Sequence, residues 1–323
     1  MAYHIAEKAA LINSPGSAQR LLMARGQLVI SIDLELAWGV WNHLTPASLA
    51  FAAEYERPIC ASLLELFDRH QISATWAIVA ALLDEKSAAA QPGDKRCWYA
   101  PDVIGQILNA KSHHEIGSHG GRHRYFDCMT AAQAREDLEF AREQHRAHAL
   151  PFDAFVFPRN SIGHLDILRN SGLRTFRGPD LGWFMAAGAA GSMAGRTANF
   201  VDKMLPIPPT PVTARQNGEG LVDIPGSMLL LARNGARRFV FPAVTRAKLS
   251  KGLVRSRDRK GIFHLWFHPS NFYYRREEQL STLAWFLEQA ADQASRGDLE
   301  ILTMGECARR LAGVPVPSGQ VLQ

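Results

Sequence analysis

The chain reads as an α/β protein built on a mostly parallel sheet or a barrel, and three features of its 323 residues predict this. The run Gln27-Leu28-Val29-Ile30-Ser31-Ile32-Asp33 is almost continuously apolar, the pattern of a strand covered on both faces. Similar runs recur with helical segments between them, the signature of parallel strands joined by crossovers. Finally, 47% apolar and 21% charged residues describe an ordinary globular composition, with enough chain to enclose a large core.

In chain order, residues 1–26 read as a peripheral arm, 27–311 as one domain and 312–323 as a tail. The first strand runs directly into Leu34-Glu35-Leu36-Ala37-Trp38. Strand alternation puts Asp33 and Glu35 on one face and Leu34 on the other. Pro46 opens a segment to His70 whose apolar stripe includes Ile59, Leu63 and Phe67; it predicts one or two helices, interrupted near Pro58. Ile72–Ala80 is the second strand and contains Trp76, either a packing residue or a pocket wall. Pro101 starts another helix, and Glu115–Ser118 ends a third strand just before His119 and His123. Thr130 and Gln133 form a capping-box pattern for a helix to about His148, with His145 and His148 on its polar side.

Phe152–Phe157 is a fourth strand, and the Pro158-Arg159-Asn160 turn at its end presents a guanidinium where loops gather. A helix over Ile162–Ser171 and a short strand over Leu173–Arg177 continue the alternation. Residues 178–220, rich in Gly, Ala and Pro, break it and predict an excursion over one mouth of the barrel, with Trp183, Phe184 and Met185 as wall or local core. A strand resumes at Leu221–Ile224. In the next, Gly261–Pro269, the residues His264, Trp266 and His268 share a face. A helix over Glu277–Ala294, a strand over Leu299–Leu302 and a helix over Met304–Leu311 close the chain.

The formal charge of +5 is modest, and the basic run Lys248–Lys260 reads as a solvated helix face; without a recognisable module, nucleic acid is not an expected partner. Cys60, Cys97, Cys128 and Cys307 show no metal or redox spacing. No stretch is apolar enough for an integral membrane segment, and the first residues lack a basic region followed by an apolar core, so the expected location is cytoplasmic. No motif sets the oligomeric state.

Asp33, Glu35, His119, His123, Arg159 and His268 each fall at or just after the C-terminal end of a predicted strand. In parallel α/β folds those ends converge on one face, the usual place for an active site. An H-x-x-x-H spacing alone also occurs on surfaces and in packing. Joined by a carboxylate, two histidines form a facial set that suits zinc or another divalent first-row ion.

The segments SIDLE, EIGSHGGRH, FVFPRN and FHLWFHPSNF together resemble the polysaccharide deacetylase family with its NodB homology domain, over roughly residues 27 to 305. Within it they are more similar to a divergent branch of capsule and lipopolysaccharide biosynthesis proteins. The resemblance implies a distorted (β/α)7 barrel, a divalent metal ion, usually zinc, and removal of an acetyl group from an N-acetylated sugar. It casts Asp33 as base, His119 and His123 as metal ligands, and His268 as acid, with His264 a competing neighbour. Arg159 falls in the family's arginine motif, as the residue orienting Asp33. Where the family commonly has a second aspartate, Leu34 stands here, and Glu35 becomes the expected ligand in its place. Trp38, Trp76, Asn160, Trp266 and Asn271 are the expected pocket residues. The expected substrate is a nucleotide-linked or lipid-linked sugar; alternatives are another small amide or cyclic imide, or a non-catalytic glycan- or metal-binding role.

Overall fold

All nine residues of strand β1 (Gly26–Leu34) are buried, because the strand has partners on both edges and packed layers on both faces. In the computed structural model, which describes residues 25–180, 202 and 204–313, β1 is the axis of the sheet. The strands that follow are β2 (Thr75–Ile78), β3 (Glu115–Ser118), β4 (Ala154–Val156), β5 (Thr175–Arg177), β6 (Arg215–Gln216), β7 (Val222–Asp223), β8 (Met228–Leu229), β9 (Ile262–Phe267) and β10 (Leu299–Leu302). Their order is β6-β7-β5-β4-β3-β2-β1-β9-β8, with β10 added beside the first half of β1. All pairings are parallel except β6 with β7.

The sheet is curled and open, a half-barrel in which the α/β part of the expected distorted (β/α)7 barrel is seen and full closure is not. Its ends approach through one short stretch of chain. Ile224 and Gly226 donate their N–H groups to Phe176 in β5 and to Gly178 just beyond it, whereas Ser227 donates to His264 in β9. Pro225 lies between them with no N–H to offer, so no ladder is completed across this corner.

The helices are α1 (Pro46–Glu54), α2 (Glu56–His70), α3 (Glu85–Ala89), α4 (Pro101–Leu108), α5 (Ala131–Ala147), α6 (Leu165–Asn170), α7 (Pro242–Arg259), α8 (Arg276–Ser295) and α9 (Met304–Leu311). The expected break near Pro58 falls instead at Tyr55. Pro58 is in the first turn of α2, where an N–H has no intrahelical acceptor and its loss costs little. The Thr130–Gln133 capping box forms as expected. His145, expected on a polar face, is fully buried: its ring lies edge-on to Phe152 and its Nδ1 donates to the Pro151 carbonyl 2.6 Å away. The main core joins β1, β2 and β9 to α2, α4, α7 and α8 through residues such as Leu63, Phe67, Ile107, Leu253 and Phe286. Truncating Phe286 to Ala would cost roughly 3–5 kcal/mol. This core holds one face of the sheet rigid behind the strand ends. Trp183, Phe184 and Met185, and most of the expected arm and tail, lie outside the described residues.

Candidate metal centre and groove

Parallel pairing brings the C-terminal ends of β1, β3 and β9 side by side, and their polar residues meet there. Glu35 Oε1 lies 2.9 Å from His119 Nε2, 3.0 Å from His123 Nε2 and 3.3 Å from His268 Nε2. Leu34, between the two carboxylates, is fully buried in the core, so the alternation expected of this strand end is observed.

The chemistry of this set fits a cation. His119 Nδ1 faces the Val156 carbonyl at 2.7 Å, and a carbonyl only accepts, so the proton is on Nδ1. In the neutral ring the Nε2 lone pair then points at a carboxylate oxygen, and two acceptors in contact need a positive charge between them. Glu35, His119 and His123 place one ligand atom each within 4.8 Å of the others, as do Asp33, Glu35 and His268. An ion with nitrogen and oxygen ligands at about 2.0–2.2 Å requires such proximity. The Val156 carbonyl is the outer partner that fixes a ligating histidine's tautomer.

Asp33 is held differently. Arg177 Nη1 and Nη2 donate to its two oxygens, each at 2.7 Å, in a fork fully buried at both ends. The same Nη1 donates to Ser31 Oγ at 3.0 Å. His264 Nδ1 donates to the backbone carbonyls of Ile224 and Pro225, at 3.3 and 3.2 Å, which leaves Nε2 to accept from Ser31 Oγ at 2.9 Å. The geometry therefore puts His264, expected as a rival acid, beneath the site with both ring nitrogens engaged. The guanidinium on Asp33 is that of Arg177, not of Arg159. Arg159 is exposed at the groove wall, 5.4 Å from the Tyr125 ring centroid, because the left-handed backbone at Arg159 and Asn160 (φ 54° at both) turns it away from the strand ends.

The charges are coupled. Burial works against ionisation of Asp33, yet Arg177, with His119 and His268, outweighs it and holds the carboxyl below its usual range. Burial likewise opposes charge on Glu35, which the surrounding imidazoles keep well below that range. Burial alone would lower His268; Glu35 and Asp33 reverse this and raise it to about 9. His123 is lowered by burial, more than Glu35 can restore, which favours the neutral, ligating form. His264 is lowered to about 3 by burial and the neighbouring Arg177.

The loop carrying the histidine pair is clamped by α5. Asp137, itself buried, accepts from the N–H of Gly121 at 2.6 Å and of Arg122 at 3.2 Å. A Cβ on Gly121 would meet the Asp137 carbonyl oxygen at 2.6 Å, so this close approach requires glycine. Trp41 Nε1 donates to the His123 carbonyl at 3.2 Å, and His123 is held at φ 56°.

A groove of about 650 Å³ opens over these residues, with Asn160, Trp266 and Asn271 in its lining as expected. Trp38 and Trp76 are not in it. Trp38 stacks edge-on to Trp98 at 5.0 Å and donates to its carbonyl at 3.0 Å, while Trp76 is fully buried in the main core edge-on to His114. Sequence reasoning missed Ser31, Arg177, Asp137, Tyr273 and Arg237. Arg177 alone carried a usable signal, as the last residue of a predicted strand.

The polysaccharide deacetylase family model matches residues 46–164, which include His119 and His123 but neither carboxylate of the site nor His268. No curated protein matches the chain. Similar solved structures include a protein described as a polysaccharide deacetylase from Mycobacterium smegmatis (14% identity, TM-score 0.63, 92% of this chain and 94% of that one). Another is the Puue allantoinase (16%, 0.63, 90% and 91%). A third is a protein described as a polysaccharide deacetylase from Pseudomonas aeruginosa PAO1 (16%, 0.61, 93% and 96%). At such identities these likenesses speak for the fold. The chain is thus similar to polysaccharide deacetylases over residues 46–164, and it shares its fold with solved structures described by that name and with an allantoinase.

Proposed function

We propose that the protein is a metal-dependent deacetylase that removes an N-acetyl group from a sugar or a glycan-biosynthesis intermediate. One observation carries this reading: three imidazole nitrogens surround the Glu35 carboxylate oxygen, beside a second carboxylate gripped by arginine. Glu35, His119 and His123 would hold a divalent ion, zinc being suited to two imidazoles and a carboxylate, and it would supply polarisation of the amide carbonyl and a more acidic water. Asp33 accepts the proton released by the attacking water, and Arg177 keeps it ionised and oriented for that role. His268, whose Nε2 is 3.6 Å from Asp33 Oδ2, is raised by the neighbouring carboxylates and gives its proton to the leaving nitrogen. Asn271 Oδ1, accepting from the His268 backbone N–H at 2.7 Å and 3.3 Å from its Nδ1, sets the ring. Trp266 walls the groove, its indole N–H tied to Asp180 at 2.8 Å.

The substrate in this proposal is a nucleotide-linked or lipid-linked sugar of the kind used in capsule or lipopolysaccharide synthesis, met in the cytoplasm. Recovery of the protein outside the cell would overturn that location. The fold shared with an allantoinase supports a second reading, hydrolysis of another small amide or imide. A non-catalytic glycan- or metal-binding role is the remaining alternative.

The test is metal content together with acetate release from UDP-linked and free N-acetyl sugars, in wild type, Asp33→Asn and Glu35→Gln. Glu35→Gln is expected to lose the metal. Asp33→Asn is expected to keep it while turnover falls by about two to four orders of magnitude. Metal binding without acetate from any sugar would favour the amide or binding readings, and a protein that takes up no metal would remove the mechanism.

A further inference from the structure

Among the described residues the large apolar side chains left exposed are Trp41, Leu108, Leu205, Phe239, Phe241, Val254 and Tyr274. The aromatic ones all lie in segments that follow the C-terminal ends of strands: Trp41 after β1, Phe239 and Phe241 after β8, Tyr274 after β9. These three strands are parallel neighbours, so all four rings stand on the face that carries the groove. Tyr274 and Arg237 line the groove itself, and Trp41 follows Val40, which also lines it. Phe239 and Phe241 are the most exposed of the set, at 59% and 73%.

Charge accompanies the rings. Arg237 and Arg238 precede Phe239, the Arg238 guanidinium sits 4.8 Å from the Phe239 ring centroid, and neither arginine pairs with a carboxylate among the described residues. Between Asp223 and Asp258 the sequence has no acidic residue, while Arg and Lys recur throughout. Exposed phenylalanines interleaved with unpaired cations, flanked by Trp and Tyr, match the chemistry of an anionic bilayer surface. The apolar rings enter the acyl boundary, the arginines meet lipid phosphates, and the amphipathic rings settle among headgroups.

We infer that this aromatic and basic rim is a peripheral membrane-docking surface for anionic lipid, which turns the mouth of the groove towards the bilayer. The inference stands apart from the deacetylase reading; where both hold, it favours the lipid-linked form of the sugar. The experiment is sedimentation of the full chain with vesicles of phosphatidylcholine alone and of phosphatidylcholine mixed with phosphatidylglycerol, at low and high salt. Wild type is expected to sediment with the phosphatidylglycerol vesicles and to be released by salt. Phe239→Ser with Phe241→Ser is expected to bind at least about tenfold more weakly, and Arg238→Glu to weaken binding further, with acetate release from a soluble sugar unchanged in both. Wild type left in the supernatant, or undiminished binding by the double variant, overturns the docking surface. So does a double variant that converts a self-associated wild type to monomer without any vesicle binding, which would assign the rim to a second copy. Vesicle binding without acetate release would remove the enzyme reading and leave the docking surface standing; acetate release without vesicle binding would do the reverse.

Discussion

Asp33 ends an unbroken run of donors and acceptors that begins at two backbone carbonyls. Because Ile224 and Pro225 can only accept, His264 must donate from Nδ1, Ser31 must donate to its Nε2, and the Ser31 oxygen is free to accept from Arg177. Each link sets the direction of the next, and the fork on Asp33 is the outcome. Arg177→Lys should keep the charge but lose the fork. A charge-assisted bond of about 1.5–3 kcal/mol is at stake, so kcat should fall by roughly 10- to 100-fold, with metal content unchanged. Loss of metal in this variant would show instead that Arg177 supports the ion site. At this scale the sequence discloses Asp33, Glu35, His119, His123 and His268, since a polar residue at the end of a buried strand is costly without a partner. Its signal for Arg177 is weak, because an arginine closing a short strand resembles one that leaves the sheet for solvent, and Arg159 after its proline is the more conspicuous choice. The side on which Trp38 and Trp76 pack depends on layers that no local pattern encodes.

The loop between β3 and α5 shows how one element positions another. Asp137 receives two N–H groups from the turn between His119 and His123, and Gly121 lets that turn approach the helix backbone. Gly121→Ala would force the Cβ against a carbonyl oxygen, so the loop must lift and the two imidazoles separate. Metal affinity should fall by about 10- to 100-fold, the range for losing an outer support of a ligand. Metal titration of the variant checks this; unaltered affinity would mean that the helix yields instead. The strands and helices were legible wherever an apolar run or a cap announced them, as with β1 and the Thr130–Gln133 box. The corner after β5 was legible only in part: the strand expected over Leu221–Ile224 forms as β7, whereas β6 and β8, two residues each, are too short for any period to register.

The whole molecule carries its buried imidazoles into its pH response. Burial lowers His264 to about 3 and His145 to about 4, from an ordinary value of 6.5. The unfolded chain takes up these protons as pH falls through 6.5, whereas the folded chain refuses them until near 3 and 4. Stability is therefore full above 6.5 and declines as pH drops, each group contributing up to about 1.4 kcal/mol per pH unit. Glu56, raised to about 7 by burial, acts in the opposite sense: its contribution is present below 4.5 and lost as pH rises through 7. Urea unfolding of the metal-free protein should accordingly show a falling midpoint between about pH 6.5 and pH 4, with a shallower slope in His145→Leu. A flat profile would mean that these imidazoles find protonated forms inside the fold.

The turn at Pro225 has a consequence for the order of assembly. The ring that braces the two ends of the sheet, His264, is also the one that indirectly aims Asp33, so shape and competence arrive in a single step. A half-folded chain whose margins have not yet met holds no aimed carboxylate. Parting those margins would take away the ring beneath Ser31 and Arg177, so the aim of the carboxylate and the curl of the sheet depend on the same contact.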